Sequence, residues 1–392
     1  MTNVFILGGQ RTAIGDFGKS LKDIPPTRLA EIAIRAALGK ANVDATEIQH
    51  VVLGNVIHTE PRDAYISRVA AVDAGIPVET PALTVNRLCG SGLQAIISAA
   101  QSIMLGDADL AIGGGAESMS RGGYLLPAER WGARLGDGKV VDMVVGALHD
   151  PFGHGHMGIT AENIAARYEI GRAEQDAFSV ESHRRAAVAL AEGRFESQIV
   201  SVELPSRKGP VSFRTDEHVR SDITPESLAA LKPAFKKEGS VTAGNASGLN
   251  DGGAALVLAS GAEVARRNAK PIARLVAYGH AGVAPEVMGL GPIPASQKAL
   301  KKAGLNIQDI DVIESNEAFA AQACAVARDL GFPADKVNPN GGAVALGHPI
   351  GASGAIIAIK AIYELHRIGG RYALVTMCIG GGQGITAIFE RL

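Results

Sequence analysis

The chain repeats itself, and that constrains its fold more than any other feature. Residues 37–56, ALGKANVDATEIQHVVLGNV, lie over residues 299–318, ALKKAGLNIQDIDVIESNEA, without a gap, at a shift of 262 (299 − 37). Ser91-Gly92 and Ser353-Gly354 keep that shift, and each pair precedes an apolar helical stretch, IISAAQSIM in one half and IIAIKAIY in the other. Each helix leads to an apolar strand that ends in IGGG, at 112–115 and 379–382; there the shift reads 267 (379 − 112) and implies five inserted residues, with Cys378 standing where Ala111 stands. Self-similarity across so many landmarks marks a duplicated architecture.

Beyond the IGGG strings the halves differ. In the second, IGGGQ runs straight into ITAIFERL, whereas in the first the comparable strand appears only at GGAALVLAS, residues 252–260. Roughly 130 residues intervene, far beyond loop length. The expected organisation is therefore residues 1–118 with 249–268 as one half, 119–248 as an inserted subdomain laid over the active face, and 269–392 as the other half. Each half reads strand, helix, strand, Gly-rich turn into helix, strand, strand, opened by VFILGG and ARLVAYG. That alternation predicts an α/β fold, its sheets covered by helices on both faces. Ligands in such sheets bind where strand ends meet helix starts.

Composition excludes several classes. A net charge of −2 leaves no electrostatic footprint for nucleic acid. No long uninterrupted apolar run predicts a membrane-spanning helix. The start lacks a basic n-region, the final FERL is not a peroxisomal SKL tail, and three cysteines without framework spacing suit a reducing compartment. A cytoplasmic enzyme is expected.

The chemistry gathers in Gly-rich turns. Cys89 precedes Gly90-Ser91-Gly92 and a helix, whose free N–H groups and dipole favour a thiolate and can hold an oxyanion. A buried structural cysteine is the competing reading. His348, in LGHPIG, occupies the equivalent turn of the other half, where an imidazole can act as base toward a cysteine. Cys378, at a strand end before IGGG, reads either as a packed small residue or as a second thiol serving as acid and base. Cys324, on an Ala-rich helix, reads as core filler. Asn316 follows a strand and fits a helix cap, which does not exclude a water-positioning role; Glu317 shares the ambiguity. His149, His154 and His156 lack the spacing of a metal site and fit a pocket lining better. Gly90-Ser91-Gly92-Leu93-Gln94-Ala95 imitates a dinucleotide turn, but no strand is expected immediately before it.

Taken together, NRLCGSGLQA, GNASGLNDG, NEAFAAQA, GGAVALGHPIGASGA and CIGGGQG resemble the thiolases, acyl-CoA:acetyl-CoA acyltransferases, along the whole chain. TEPRDAYISRVAA, ALHDPF and GRYALVTMCIGGGQG bring it nearer to bacterial short-chain β-ketothiolases of the kind associated with polyhydroxyalkanoate precursor supply. The resemblance implies a thiolase-like duplicated fold, two pseudo-symmetric halves with mixed sheets in a layered αβαβα arrangement. It implies Cys89 as the acylated nucleophile, and His348 as its activator. With a water held by Asn316, His348 would also stabilise the thioester enolate. Cys378 would move the α-proton of acetyl-CoA, and the N–H groups of Cys89 and Gly380 would form a second oxyanion site. Ser247, His156, Met157, Ala318 and Phe319 would line the substrate channel, with Arg220 and Ser227 near the CoA nucleotide. The substrates would be acyl-CoA, acetyl-CoA and CoA, with no metal or other cofactor. A homotetramer, a dimer of dimers joined by a loop near residues 120–140, is also implied. Two departures from the family pattern stand out: Gly153 and Gly155 flank His154, which bears on acyl-chain preference, and Ser315 replaces a common alanine.

Overall fold

A computed structural model describes residues 3–392. β1 (Val4–Thr12) leads to α1 (Pro26–Ala41), which starts on a proline and stops at the left-handed Asn42. Then come β2 (His50–Gly54), α2 (Ile66–Asp73), β3 (Ala82–Val85), α3 (Ser91–Leu105) and β4 (Leu110–Ser118). The chain departs into the intervening segment, whose main helices are α4 (Met157–Arg167) and α5 (Arg172–Ala191). It returns at β5 (Asn250–Ser260). The second half runs β6 (Ala273–Gly282), α6 (Pro292–Ala303), β7 (Val312–Ser315), α7 (Ala320–Leu330), α8 (Ile350–Ile368), β8 (Tyr372–Ile379) and β9 (Gln383–Arg391).

The strands lie in the order β7-β8-β9-β6-β1-β5-β4-β2-β3. In the first half β3, β2 and β4 run parallel, in the second β7 and β8 do, and each set is followed by antiparallel neighbours, so the sheet is mixed in both halves. A short antiparallel contact, Val4 to Ile6 against Leu275 to Ala273, joins the halves edge to edge. The apolar helices α3 and α8 form the central layer. They touch through glycines: a Cβ on Gly92 would stand 2.8 Å from the Ala355 nitrogen, and one on Gly354 would collide with the Leu93 backbone. The Leu88–Leu105 stretch, contrary to expectation, is long and apolar enough to pass for a membrane span, yet its apolar faces are spent on this layer.

Register refines the repeat. Both halves carry a capping box before their second strand, Asp44 with Glu47 and Asn306 with Asp309, 262 residues apart. His50 pairs with Ala111, and Val312 pairs with Ala373, so β4 and β8 also correspond at 262 (373 − 111). The bulge between Ile6 and Gly8 recurs between Leu275 and Ala277. No five-residue insertion exists, and Cys378 stands where Ala116 stands, not Ala111. The two IGGG strings misled because they do different work. The first lies inside β4, packed against α3 and Gly351; the second supplies the β8–β9 turn, with Gly381 and Gly382 at φ 83° and 88°. A strand, β3, does precede the Gly90 turn, separated from it by Asn86–Cys89.

Candidate active site

Cys89 sits two residues ahead of α3 on a strained turn. Leu88 just before it is left-handed (φ 44°), an uncommon state for a residue with a side chain. The turn is pinned from three sides. Ser91 Oγ donates to the Leu88 carbonyl (2.7 Å) and accepts from Arg87 N–H (2.8 Å), while Asn86 Oδ1 accepts from Leu88 N–H (3.0 Å). Gly90 presses against the other half, since a Cβ there would come within 2.6 Å of Ile379 Cδ1. Cys89 keeps some access to solvent. Burial pushes its thiol up to about 11, against the pull of the Gly380 and Cys89 N–H groups that favour the thiolate. The Glu117 carboxylate adds a smaller push upward.

Cys378 lies fully buried in β8 within an apolar cluster of Met157, Met288, Ala318 and Phe319. Burial raises its pKa strongly, and the neighbouring Cys89 raises it further. Gly380 closes the gap between them, its bare Cα allowing Met157 Cε and Leu88 Cδ1 to within 3.0 and 3.2 Å of where a Cβ would be. One wall is aromatic: His156 stacks on Phe235 (centroids 4.6 Å, planes at 15°), and Phe235 meets Phe319 edge-on at 6.2 Å. His156 Nδ1 accepts from Gly158 N–H (3.0 Å) and so caps α4. Ser247 N–H donates to the Ala318 carbonyl (3.0 Å), and Ala246 bridges Phe319. Met157, Ala318 and Phe319 therefore pack with Cys378, and His156 and Ser247 join that cluster through Phe235 and Ala318.

His348 is buried at the head of α8. Its backbone N–H donates to Asn250 Oδ1 (2.9 Å), its Nδ1 lies 2.6 Å from Ser353 Oγ, and its Nε2 lies 3.5 Å from Asn316 Nδ2. Burial pushes the imidazole down to about 4. Asn316 does not cap the next helix, which starts at Ala320 with Phe319 as its cap; residues 318–320 stay extended because they pair with the backbone of residues 245–247. Freed from capping, Asn316 faces His348, and its buried Oδ1 has no partner. It also lines a cavity of about 10 Å³, room for about one water. Glu317 is a tie, accepting from Ser182 Oγ (2.7 Å), Val344 N–H (3.1 Å) and Asn338 Nδ2 (2.7 Å).

Other residues lie apart. Arg220 and Ser227 are exposed on the intervening segment; Arg220 N–H donates to His183 Nδ1 (3.1 Å), and Ser227 closes a capping box with Thr224. Cys324 is partly buried, packs against the core cluster of Ile164, Ile170 and Leu290, and also lines a cavity of about 420 Å³ with Phe178 and Phe332. His149 packs edge-on against His156 (5.3 Å), and His154 leans toward Glu286 (3.8 Å).

Four residues escaped sequence reasoning. Leu88 and Asn250 carried no local signal. Glu117 was visible only as an acid inside an apolar strand. It accepts from Val56 N–H (3.1 Å), Ile57 N–H (3.0 Å), Asn55 Nδ2 (3.1 Å) and Gly351 N–H (2.9 Å), stitching β2 to the first turn of α8. Burial pushes its carboxyl up to about 8. Ser353 was noticed as a landmark of the repeat, not as a partner of His348.

Comparison with known proteins agrees along the whole chain. A model of the thiolase N-terminal domain matches residues 4–262, and one of the thiolase C-terminal domain matches residues 269–391. The chain is 63% identical over 390 residues to Beta-ketothiolase BktB of Cupriavidus necator, covering 99% of each. It is 50% identical over 390 residues to an acetyl-CoA acetyltransferase of Chromobacterium violaceum, again covering 99% of each. Human mitochondrial 3-ketoacyl-CoA thiolase superposes with a TM-score of 0.98 at 43% identity, over 100% of this chain and 99% of that one. A structure of that human enzyme in complex with CoA gives 0.97 at 43% identity, over 100% of this chain and 98% of that one.

Proposed function

This chain belongs to the thiolase family, and from that premise we propose how its own residues divide the work. It is an acyl-CoA:acetyl-CoA C-acyltransferase, a β-ketothiolase. It joins acetyl-CoA to an acyl-CoA by reversible Claisen condensation, or cleaves a 3-ketoacyl-CoA with CoA.

In our reading His348 Nε2 takes the Cys89 proton as the sulfur attacks the thioester carbonyl. The N–H groups of Cys89 and Gly380 hold the oxyanion, and the first CoA leaves as a thiol with the Cys378 proton. Acetyl-CoA then enters the same channel. Cys378, now a thiolate, takes a methyl proton while the Nε2–H of the His348 imidazolium and a water on Asn316 hold the enolate oxygen. The carbanion attacks the Cys89 thioester, the expelled Cys89 thiolate takes its proton back from His348, and the 3-ketoacyl product departs. Ser247, His156, Met157, Ala318 and Phe319 line the channel, and Arg220 and Ser227 meet the CoA nucleotide. The reaction as written calls on no metal or other cofactor. The observation that carries this reading is the packing of the Cys89 turn on the end of the strand that holds Cys378, Gly90 against Ile379 and Gly380 against Leu88.

The same reading makes the protein cytoplasmic and a supplier of short 3-ketoacyl units for polyhydroxyalkanoate synthesis. It also makes it a homotetramer, a dimer of dimers. Support for assembly comes from the hairpin arm of Tyr124–Leu125 and Val141–Asp142, where Trp131 and Leu135 are 84% and 100% exposed.

The decisive experiment is incubation with acyl-CoA, rapid acid quench and peptide mass mapping. The acyl group is expected on the Cys89 peptide. An acyl group on Cys324 or Cys378 with Cys89 free would overturn the assignment.

A further inference from the structure

Ser91 and Ser353 are one residue of the repeat seen twice, 262 positions apart, and each folds its hydroxyl back onto the turn before it. Ser91 fixes the backbone of the Cys89 turn. Ser353 Oγ lies 2.9 Å from the Pro349 carbonyl and 2.6 Å from His348 Nδ1. The Pro349 carbonyl also accepts from the N–H groups of Ala352 (2.8 Å) and Ser353 (2.9 Å), so the hydroxyl joins it as the ordinary back-bond of a serine in a first helical turn. A hydroxyl has one proton to give. With that proton on the carbonyl, Ser353 can only accept from the imidazole, which places hydrogen on Nδ1 and leaves Nε2 bare.

We propose that Ser353 is a positioning residue that holds His348 in the Nδ1–H tautomer, leaving the Nε2 lone pair for the Cys89 proton. The duplication thus left one serine in each half, one setting the nucleophile's turn and the other the base's proton. This inference rests on the reading of His348 as the base toward Cys89.

Nitrogen NMR of the full enzyme with isotope-labelled histidine, the His348 signals assigned by difference against His348→Asn, reads the tautomer directly. The free wild-type enzyme should show a protonated Nδ1 and a bare Nε2. Ser353→Ala should lose that pattern and slow Cys89 acylation by roughly 10²-fold, within the range of general-base catalysis. Ser353→Thr, which keeps the hydroxyl, should recover the tautomer and most of the rate. A wild-type Nε2–H tautomer, or an unchanged tautomer in Ser353→Ala, would overturn the proposal; the wild-type measurement decides even where the alanine variant fails to fold. Wild-type acylation in a His348→Ala enzyme would instead sink the base reading and leave the tautomer result standing.

Discussion

With the Cys89 thiol held up to about 11 and the His348 imidazole down to about 4, both groups rest neutral in the free enzyme. A preformed thiolate–imidazolium pair is therefore disfavoured, and the proton moves as the sulfur attacks. A raised thiol pKa keeps the reactive form scarce, so iodoacetamide alkylation of Cys89 should rise about tenfold per pH unit, still climbing near about pH 9. A plateau below neutrality would show an ion pair instead. Cys378 separates from Cys89 by function: Cys378→Ser should still acylate at Cys89 but condense roughly 10²–10⁴-fold more slowly. Solvent exchange of the acetyl-CoA methyl protons should fall in parallel, and normal exchange would remove Cys378 from the mechanism. Cys89 and His348 were singled out because each sits in a Gly-rich turn tied to the repeat, and Cys378 by the IGGG string after it, although it lies within β8 and matches Ala116 in the repeat. Glu117 and Asn250 were not, because they act through backbone N–H groups that only the folded chain brings near.

At the scale of elements, the repeat was readable where it rests on capping and turn residues, and misread where it rested on letters alone. Asp44 and Asn306 cap the same turn in both halves, so their spacing survives in the sequence. The two IGGG strings share letters but not positions, and only hydrogen-bond register separates them. Phe319 likewise displaced Asn316 as a cap because an edge pairing with Ala246 keeps the chain extended. The contact between α3 and α8 depends on glycine. Gly354→Ala forces a methyl into the Leu93 backbone, and overpacking of this kind typically costs about 1–3 kcal/mol. Denaturant unfolding should show that loss, together with slower Cys89 acylation, since the two helix heads carry Cys89 and His348. Gly106→Ala, at a helix end open to solvent but left-handed, should cost stability without a matching loss of rate.

Across the whole molecule, buried titratable groups pull stability in opposite directions. His183, His280 and His348 are each lowered from 6.5 to about 4, mainly by burial, so the unfolded chain binds more protons than the native one between those values. Their share of stability is present above 6.5 and lost as pH falls toward 4. Glu117 and Glu314, raised to about 8 and about 7, act the other way, losing their share as pH rises. A single variant isolates one sign. His183→Gln, which keeps an acceptor for Arg220 N–H, should melt progressively higher relative to wild type as pH falls from about 6.5 to about 4. A pH-independent difference would count against a buried neutral His183. The strand order also dictates how the molecule can be made. β5 lies between β1 and β4 yet leaves the ribosome after the intervening segment, so the nascent first sheet has a missing slat. Two open strand edges wait beside the tunnel exit, and open edges invite pairing with other chains. The inner face of α3 waits longer still, until α8 emerges. A ribosome stalled before His348 therefore holds a chain with Cys89 and no His348, its central helix bare.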